Sequence, residues 1–326
     1  MKNESFGYNF VTYPLHKHFI ENMINPESMQ YHLLGKSNLT ISEIGFGCMS
    51  LGNDDAANAS LIHQACEKGI NFFDTADLYE HGQNEITVGK ALKDRRSSVI
   101  IATKVGNQWK KDGSGWDWNP RKDYIMAAVE ASLQRLQTDY IDLYQLHGGT
   151  IDDPIDETID AFETLQQQGK IRYYGISSIR PNVIREYVKR SHMVSVMMQY
   201  SLLDRRPEET AFPLLKENNI GVLARGTVAK GLLVNKPAAA YLDYTAKEVA
   251  AAAAAVKEAS TSSRTAAQTA LRFVLQQPAV TSAVAGIRTP AQLEDALNAV
   301  NASALLPDEI KQLQQAVTIN TYGQHR

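Results

Sequence analysis

The chain has 326 residues, of which 44% are hydrophobic and 21% charged, with a formal net charge of −3. This length suits either one large α/β barrel or two average domains. The near-neutral balance offers no basic surface, so neither nucleic acid nor an anionic membrane is expected as a partner. No apolar run approaches the roughly 20 residues of a membrane-spanning helix.

The two cysteines, Cys48 and Cys66, are too few for a disulfide framework and lack the spacing of metal ligands. This usage is typical of a reducing compartment and predicts a cytoplasmic protein. Residues 1–28 lack the charged-then-apolar order of a secretory signal. Met29 immediately precedes the first well-patterned segment. We therefore expect 1–28 to be an N-terminal extension, disordered or artefactual, ahead of a single domain that spans residues 29–326.

From residue 40 onward, short apolar segments alternate with longer segments that have helical spacing. The predicted strands are Ile41–Ile44, Ile70–Phe73, Val99–Ala102, Tyr140–Leu146, Ile171–Ile176, Val194–Met198, Ile220–Leu223 and Val280–Val284. Tyr124–Leu136 predicts a helix because its apolar residues recur every three or four positions. Gly69 and Gly169 predict helix C-terminal caps, and Thr289-Pro290 predicts a helix start.

This alternation predicts a parallel sheet that is covered by helices. A closed barrel and an open doubly wound sheet both satisfy it, but about eight strands without a linker midway favour one (β/α)8 TIM barrel. Residues 35–38 separate Tyr31–Leu34 from Leu39–Ile41, which predicts a short N-terminal hairpin. Ala250–Ala255 predicts a solvent-facing helix, and extra helices are expected at the C-terminal end of this α/β fold.

Polar residues of four different types follow the second, third and fourth predicted strands. Asp74 ends the second strand and Tyr79 follows it closely. Lys104 follows the third strand and His147 the fourth. Because active sites of such barrels form at the carboxyl ends of the strands, we expect these side chains to converge on one rim.

These four residue types suit the reduction of a carbonyl group. A phenol has an ordinary pKa of about 10, and a nearby cation favours its ionised form. Lys104 would supply that cation, and Asp74 would hold the lysine in place. His147 would orient the carbonyl oxygen, and Tyr79 would donate a proton to it as a hydride reaches the carbon.

Three segments resemble the signatures of the aldo-keto reductase family and occur in the family's order. They are Phe73–Tyr79 followed by Gly82, Asn84 and Glu85, then Ile101–Lys104, then Asp142–His147. The resemblance extends from about Met29 to about Ala304 and is nearest to the bacterial general stress protein branch. It implies an NADPH-dependent reductase of aldehydes or ketones. The family's catalytic tetrad positions fall on Asp74, Tyr79, Lys104 and His147.

The family binds NADPH without a Rossmann glycine turn. Gly45-Phe46-Gly47 imitates such a turn, but Ser50 stands where its third glycine belongs, so we reject the Rossmann interpretation. By the resemblance, this loop runs beside the nicotinamide. The residues implied around the nicotinamide and its carboxamide are Gly47, Cys48, Met49, Asp74, Ser177, Ser178 and Gln199. Ser178 replaces the asparagine that is usual in the family.

Two later segments resemble the phosphate-binding parts of the family. After the seventh strand, Arg225, Gly226, Val228 and Lys230 match the loop that cradles the pyrophosphate. Arg225 stands where many relatives have an aromatic residue stacked on the nicotinamide, and a guanidinium also stacks on rings. After the eighth strand, a helix start favours an anion, and Arg288 is the candidate ligand of the 2′-phosphate. Gly286, Gln292 and Asp295 complete the predicted cofactor site.

The loop from Val105 to Pro120 contains Trp109, Trp116 and Trp118, which are all the tryptophans of the chain. An aromatic loop over a barrel mouth predicts a wall for an apolar or aromatic carbonyl substrate. The alternative is that each ring merely anchors the loop. The substrate itself does not follow from the sequence.

Two other classes of protein share parts of this pattern. One is an NADPH-binding regulatory or redox-sensor protein resembling channel β-subunits, which would keep the tetrad and turn over little. The other is a metal-dependent hydrolase that uses Asp74 and His147, but it would need further ligands at other strand ends, so no metal is predicted. We expect a monomer with a small carbonyl substrate as its partner, and leave an oligomer open.

Overall fold

The structure is a computed structural model that describes residues 29–326. Its strands are, in chain order, β1 (Tyr31–Leu33), β2 (Thr40–Ser42), β3 (Ile44–Gly47), β4 (Phe72–Asp74), β5 (Ile100–Val105), β6 (Asn107–Trp109), β7 (Trp116–Trp118), β8 (Ile141–Leu146), β9 (Ile171–Ser177), β10 (Ser195–Gln199), β11 (Gly221–Arg225) and β12 (Val280–Gly286). Strands β3, β4, β5 and β8 to β12 are parallel and close into one barrel in chain order. The predicted (β/α)8 barrel is confirmed.

Helices surround the barrel in the positions that the alternation predicts. They are α1 (Asp55–Glu67), α2 (Gln83–Leu92), α3 (Lys122–Leu136), α4 (Ile155–Gln167), α5 (Pro181–Arg190), α6 (Ala211–Glu217), α7 (Ala246–Glu258), α8 (Ala266–Leu275), α9 (Pro290–Asn301) and α10 (Pro307–Gln315). Thr289 caps α9 by accepting a hydrogen bond from the Gln292 N–H, with Pro290 in the first turn. The alanine run within α7 is not wholly exposed, because Ala252 is buried.

Burial on both faces explains why most residues of the barrel strands are apolar. Every residue of β5 and of β8 is buried, since side chains fill the barrel on one face and helices cover the other. The N-terminal hairpin closes the end of the barrel at which the strands begin. Leu34, Leu39 and Ile41 form one cluster with interior residues such as Phe72 and Leu223. The carboxyl ends of the strands, where active sites of such barrels form, lie at the opposite end.

Two local predictions differ from the structure. The segment predicted as the single strand Ile41–Ile44 divides at Glu43 into a hairpin strand and a barrel strand, because the Ser42 hydroxyl donates to the Ile44 carbonyl oxygen and turns the chain. The loop predicted over residues 105–120 contains the two antiparallel strands β6 and β7. The prediction for residues 1–28 lies outside the described residues. In the described part of the chain, no helix is long and apolar enough to cross a membrane.

Candidate active site

A buried ammonium group lies at the carboxyl ends of β4 and β5. Lys104 Nζ is 2.7 Å from Asp74 Oδ2, 2.7 Å from the carbonyl oxygen of Thr75 and 3.4 Å from Tyr79 Oη. Burial raises the pKa of Asp74, and the charge of Lys104 opposes that rise. Burial also disfavours the lysine cation, but the charges of Asp74 and Tyr79 and the hydrogen bonds to both together outweigh this and raise the pKa of Lys104. The two groups thus hold each other ionised beneath the Tyr79 hydroxyl.

His147 lies beside the same hydroxyl-bearing ring. The rings of Tyr79 and His147 meet edge to face, with centroids 5.8 Å apart. Burial, followed by the charges of Lys104 and Arg225, lowers the pKa of His147 to about 3. The imidazole is therefore neutral near pH 7, with one N–H donor and one acceptor nitrogen. Its Nδ1 is buried and has no partner among the described residues.

One cavity of about 1070 Å³ opens at this rim. Most residues that the sequence predicted for the site contribute to its lining. They are Gly47, Met49, Asp74, Tyr79, Lys104, Trp116, Trp118, His147, Ser177, Ser178, Gln199, Arg225, Gly226, Val228, Lys230, Gly286, Arg288 and Gln292. This volume is at the upper end of the range for small-molecule and cofactor sites.

Three predicted site residues lie away from the cavity lining. Cys48 is wholly buried, and its thiol points to the Phe46 carbonyl oxygen at 3.6 Å. Trp109 stacks on His81 with ring centroids 3.7 Å apart. Asp295 accepts a hydrogen bond from the hydroxyl of Thr265 at 3.3 Å. In each case a packing or capping partner engages the side chain, and the sequence pattern did not predict that partner.

Trp118 contributes to the lining because two glycines leave room for its ring. A Cβ atom at Gly106 would lie 2.6 Å from the ring, and one at Gly148 would lie 3.2 Å from it. Its indole Nε1 donates to both carboxylate oxygens of Asp153 at 3.0 Å. The ring is thereby fixed against the loop that follows His147.

A chain of hydrogen bonds holds the polar end of β10 and β11. Arg225 Nη1 donates to Gln199 Oε1 at 3.2 Å, and Gln199 Nε2 donates to the Tyr241 hydroxyl at 2.9 Å. This arrangement fixes which side of the Gln199 amide faces the guanidinium. Sequence analysis missed Tyr241 because it lies in an irregular segment after β11. Other lining residues that it missed are Ser50, Asn107, Thr150, Arg180, Thr227, Asn235 and Lys236.

The start of α9 presents a cation at the edge of the cavity. Arg288 Nε donates to the Ser50 carbonyl oxygen at 2.9 Å, and the backbone N–H of Arg288 donates to Gln292 Oε1 at 2.8 Å. The two Nη nitrogens of this guanidinium make no hydrogen bond within residues 29–326, so they are available to a ligand. Arg225, Lys230 and Lys236 line the same cavity from the segment after β11. This donor set fits a ligand with separate phosphate groups.

The turn that carries Tyr79 has an unusual backbone. Glu80, His81 and Gly82 have φ values of 51°, 56° and 85°. Two consecutive residues with side chains in the left-handed region are strained, and such strain is concentrated at functional sites. His81 is held by its stack on Trp109, and Gly82 lies against Arg135, whose side chain a Cβ atom would meet at 2.7 Å.

Comparison with known proteins identifies the family. Residues 43–318 match the aldo/keto reductase family, so the chain belongs to it and is an oxidoreductase. The chain is 52% identical over 307 residues to YqkF of Bacillus subtilis (strain 168), an uncharacterized oxidoreductase, covering 91% of this chain and all of that one.

A solved structure and a curated relative extend the comparison. The aldo-keto reductase AKR11C1 from Bacillus halodurans, in its holo form, superposes with a TM-score of 0.86 at 51% identity, covering 91% of this chain and 99% of that one. The NADH-specific methylglyoxal reductase of Escherichia coli (strain K12) is 35% identical, covering 61% of this chain and 68% of that protein. The family therefore implies a nicotinamide cofactor, while relatives differ in which one they use.

Proposed function

We propose that this protein reduces aldehydes or ketones to alcohols with NADPH, and that Tyr79 is the proton donor. The observation that carries the proposal is the Lys104 ammonium, buried between Asp74 Oδ2 and Tyr79 Oη at 2.7 and 3.4 Å. A surface lysine would not be enclosed with a carboxylate and a phenol that line one cavity.

Each residue of this group has a separate task. Bound NADPH supplies the hydride that reaches the carbonyl carbon. Tyr79 Oη would give its proton to the carbonyl oxygen. The substrate thus gains one hydride at carbon and one proton at oxygen. The Lys104 ammonium stabilises the phenolate that remains, and Asp74 fixes the ammonium. Neutral His147 donates a hydrogen bond to the same carbonyl oxygen and orients it.

Different residues of the cavity would bind different parts of the cofactor. Ser177, Ser178 and Gln199 would hold the carboxamide, and Arg225 would lie against the nicotinamide. Gly226, Val228 and Lys230 would hold the pyrophosphate. Arg288, with Gln292, would hold the 2′-phosphate and so favour NADPH. The guanidinium of Arg288 supports this preference because, within residues 29–326, only its Nε makes a hydrogen bond, which leaves a planar pair of donors.

The test is steady-state NADPH oxidation with 4-nitrobenzaldehyde, in the presence and absence of a chelator. We expect turnover that survives the chelator, and a fall in kcat of about 10²- to 10⁴-fold in Tyr79→Phe, the range for loss of a positioned acid. NADPH binding by fluorescence should be unchanged in the variant. A wild type that binds NADPH but reduces no member of a wider carbonyl panel would favour the regulatory alternative.

We also propose a cytoplasmic monomer. Cys48 and Cys66 are free thiols, which suits a reducing compartment. One chain brings the complete tetrad to one cavity, so a second copy has no residue to add there. Sedimentation of the purified protein at micromolar concentration should give a single species of about 36.1 kDa; a dimer would contradict the proposal.

A further inference from the structure

The charges around the cavity are strongly unbalanced. Six cationic residues contribute to its lining, and Asp74 is the one acidic residue among the lining residues of the described chain. The cations are Lys104, Arg180, Arg225, Lys230, Lys236 and Arg288. Asp74 compensates Lys104 through their ion pair. None of the other five cations makes an ion pair with a residue of the described chain.

The proposed cofactor accounts for four of these five cations. NADPH has about four negative charges, two on its pyrophosphate and nearly two on its 2′-phosphate. Arg225, Lys230 and Lys236 come from the end of β11 and the segment after it, and Arg288 follows β12. Lys230 and Arg288 stand at the positions proposed for the phosphates, Lys236 lies in the same segment as Lys230, and Arg225 stands at the position proposed for the nicotinamide contact, so all four belong to the proposed cofactor side. Arg180 is left without a counterpart, and this step rests on the proposed function.

Arg180 belongs to the other side of the cavity, beside the catalytic histidine. It follows β9 and donates through Nη1 to the carbonyl oxygen of Gly149, two residues after His147. Its backbone N–H donates to the Ser178 hydroxyl at 3.2 Å. These bonds anchor the guanidinium by one nitrogen and leave its other side-chain donors without a partner among residues 29–326.

Asp153, an acid of the loop that follows His147, is already engaged. Asp153 accepts hydrogen bonds from Trp118 Nε1, from the Thr150 N–H at 2.7 Å and from the Thr150 hydroxyl at 2.7 Å. It makes no ion pair with Arg180 in the described structure. Arg180 is therefore an anchored cation that lines the same cavity as Trp116 and Trp118 and makes no ion pair with a carboxylate of the described chain.

We propose that Arg180 is a specificity-determining residue that binds a carboxylate of the substrate, so the preferred substrates are oxo acids: aldehydes or ketones that also bear a carboxylate. A guanidinium matches a carboxylate through two parallel hydrogen bonds, which a neutral group of the same shape accepts much more weakly. The chemistry at the carbonyl is unchanged: His147 and Tyr79 address the carbonyl oxygen, and Arg180 holds the far end of the molecule.

A matched pair of substrates isolates the charge. 4-Carboxybenzaldehyde and 4-nitrobenzaldehyde have planar groups of closely similar shape at the same position, but only the first is an anion. Hydrogen bonds to charged groups contribute about 1.5–3 kcal/mol, which corresponds to about 10- to 150-fold in binding. Arg180→Met should therefore lower kcat/KM for 4-carboxybenzaldehyde by about 10- to 100-fold, mainly through KM. For 4-nitrobenzaldehyde the change should stay within about twofold.

Arg185→Met is the control for the change in net charge. Arg185 is exposed on α5, the helix that begins directly after Arg180, and does not belong to the lining of this cavity. This variant should behave as the wild type with both substrates. Equal losses for both substrates in Arg180→Met would show that Arg180 only supports the loop at Gly149, and would overturn the proposal.

A binding measurement separates failure of this proposal from failure of the proposed function. If the wild type reduces neither aldehyde, the reductase proposal is in question and the dissociation constant of 4-(hydroxymethyl)benzoate decides the anion site. It is measured with NADP+ present, by quenching of tryptophan fluorescence. A dissociation constant at least tenfold higher in Arg180→Met supports the carboxylate site, and an unchanged one overturns it.

Discussion

At the residue scale, the Asp74–Lys104 pair is a costly arrangement. Each buried ion loses several kcal/mol of hydration, and the mutual attraction returns only part of it. Gln145 Nε2 donates a hydrogen bond to Asp74 Oδ1 at 3.4 Å, and the ammonium donates one to the Thr75 carbonyl oxygen. Such a pair contributes little to stability. Under the proposed mechanism, its value is that it holds a positive charge, without reorganisation, beside the Tyr79 oxygen that would lose a proton.

Arg288 gives the first residue-scale prediction. If it binds the 2′-phosphate, Arg288→Ala should weaken NADPH binding by about 10- to 100-fold, since a charge-assisted pair of hydrogen bonds is lost. NADH lacks that phosphate, so its dissociation constant should change by less than about threefold. Both constants are measured by nicotinamide fluorescence, with Arg288→Lys as the variant that keeps the charge and loses the planar fork. Equal losses for the two cofactors would refute the phosphate role.

At the element scale, the barrel was predictable and its insertions were not. Barrel strands contain short apolar runs, such as 100–102 in β5 and 222–224 in β11, which indicate buried parallel strands. The hairpin of β6 and β7 is short and largely exposed, so it lacks both periodicity and an apolar run. The left-handed turn after Tyr79 is also invisible, because glutamate and histidine give no signal for positive φ.

The same distinction applies to the candidate site. The convergence of Asp74, Tyr79, Lys104 and His147 on one cavity could be predicted because each stands at or just beyond a strand end, where the barrel brings side chains together. Trp109 was assigned to the substrate wall, but the stack with His81 determines where its ring lies. Arg180 and Lys236 were missed because loop positions have no period. Their proximity to the cavity depends on how the loops fold.

The turn Tyr79–Gly82 gives a prediction for this element. A left-handed residue other than glycine costs about 1–2 kcal/mol, and the stack of His81 on Trp109 offsets that cost. His81→Ala keeps the cost and loses the stack, so the turn should relax and displace the Tyr79 hydroxyl. We expect kcat to fall about 5- to 20-fold, with the dissociation constant of NADPH unchanged.

His81→Gly is the matched variant, because glycine adopts positive φ without the steric cost. It also loses the stack, but it should retain kcat within about threefold of wild type. Trp109→Ala should resemble His81→Ala. If His81→Ala and His81→Gly have the same kcat, backbone strain in the turn does not control the position of Tyr79.

At the scale of the whole molecule, buried acids beneath the Tyr79 turn couple the site to the stability of the barrel. Glu85 is fully buried, and its carboxylate accepts hydrogen bonds from Thr103 at 2.6 Å and Arg135 at 2.6 Å. Asp77 is 8% exposed, and its Oδ1 has no partner within the described chain. Burial, followed by the charge of Glu85, raises the pKa of Asp77 to about 8.

This shift predicts how stability depends on pH. The unfolded chain has an aspartate pKa of about 3.9, so between about pH 4 and pH 8 the folded state binds the extra proton. The stabilisation from Asp77 is complete below the unfolded pKa and is lost as the pH rises through the folded pKa. His147, with a pKa lowered to about 3, acts in the opposite direction and loses its stabilisation as the pH falls below about 6.5.

Asp77→Asn removes the titration of Asp77 while keeping its shape and leaving His147 in place, so the difference in Tm between variant and wild type isolates Asp77. That difference should be near zero at pH 4.5 and grow to several degrees in favour of the variant at pH 8, because about 1 kcal/mol shifts Tm by roughly 2–4 °C in a chain of this size. Asp94→Asn, at an exposed position, makes the same change in charge and should give a constant difference. Tm is measured from pH 4.5 to pH 8 by thermal unfolding followed by circular dichroism. If Asp77→Asn also gave a constant difference in Tm, Asp77 would have the same pKa in the folded and unfolded states. The acids beneath Tyr79 would then not oppose folding.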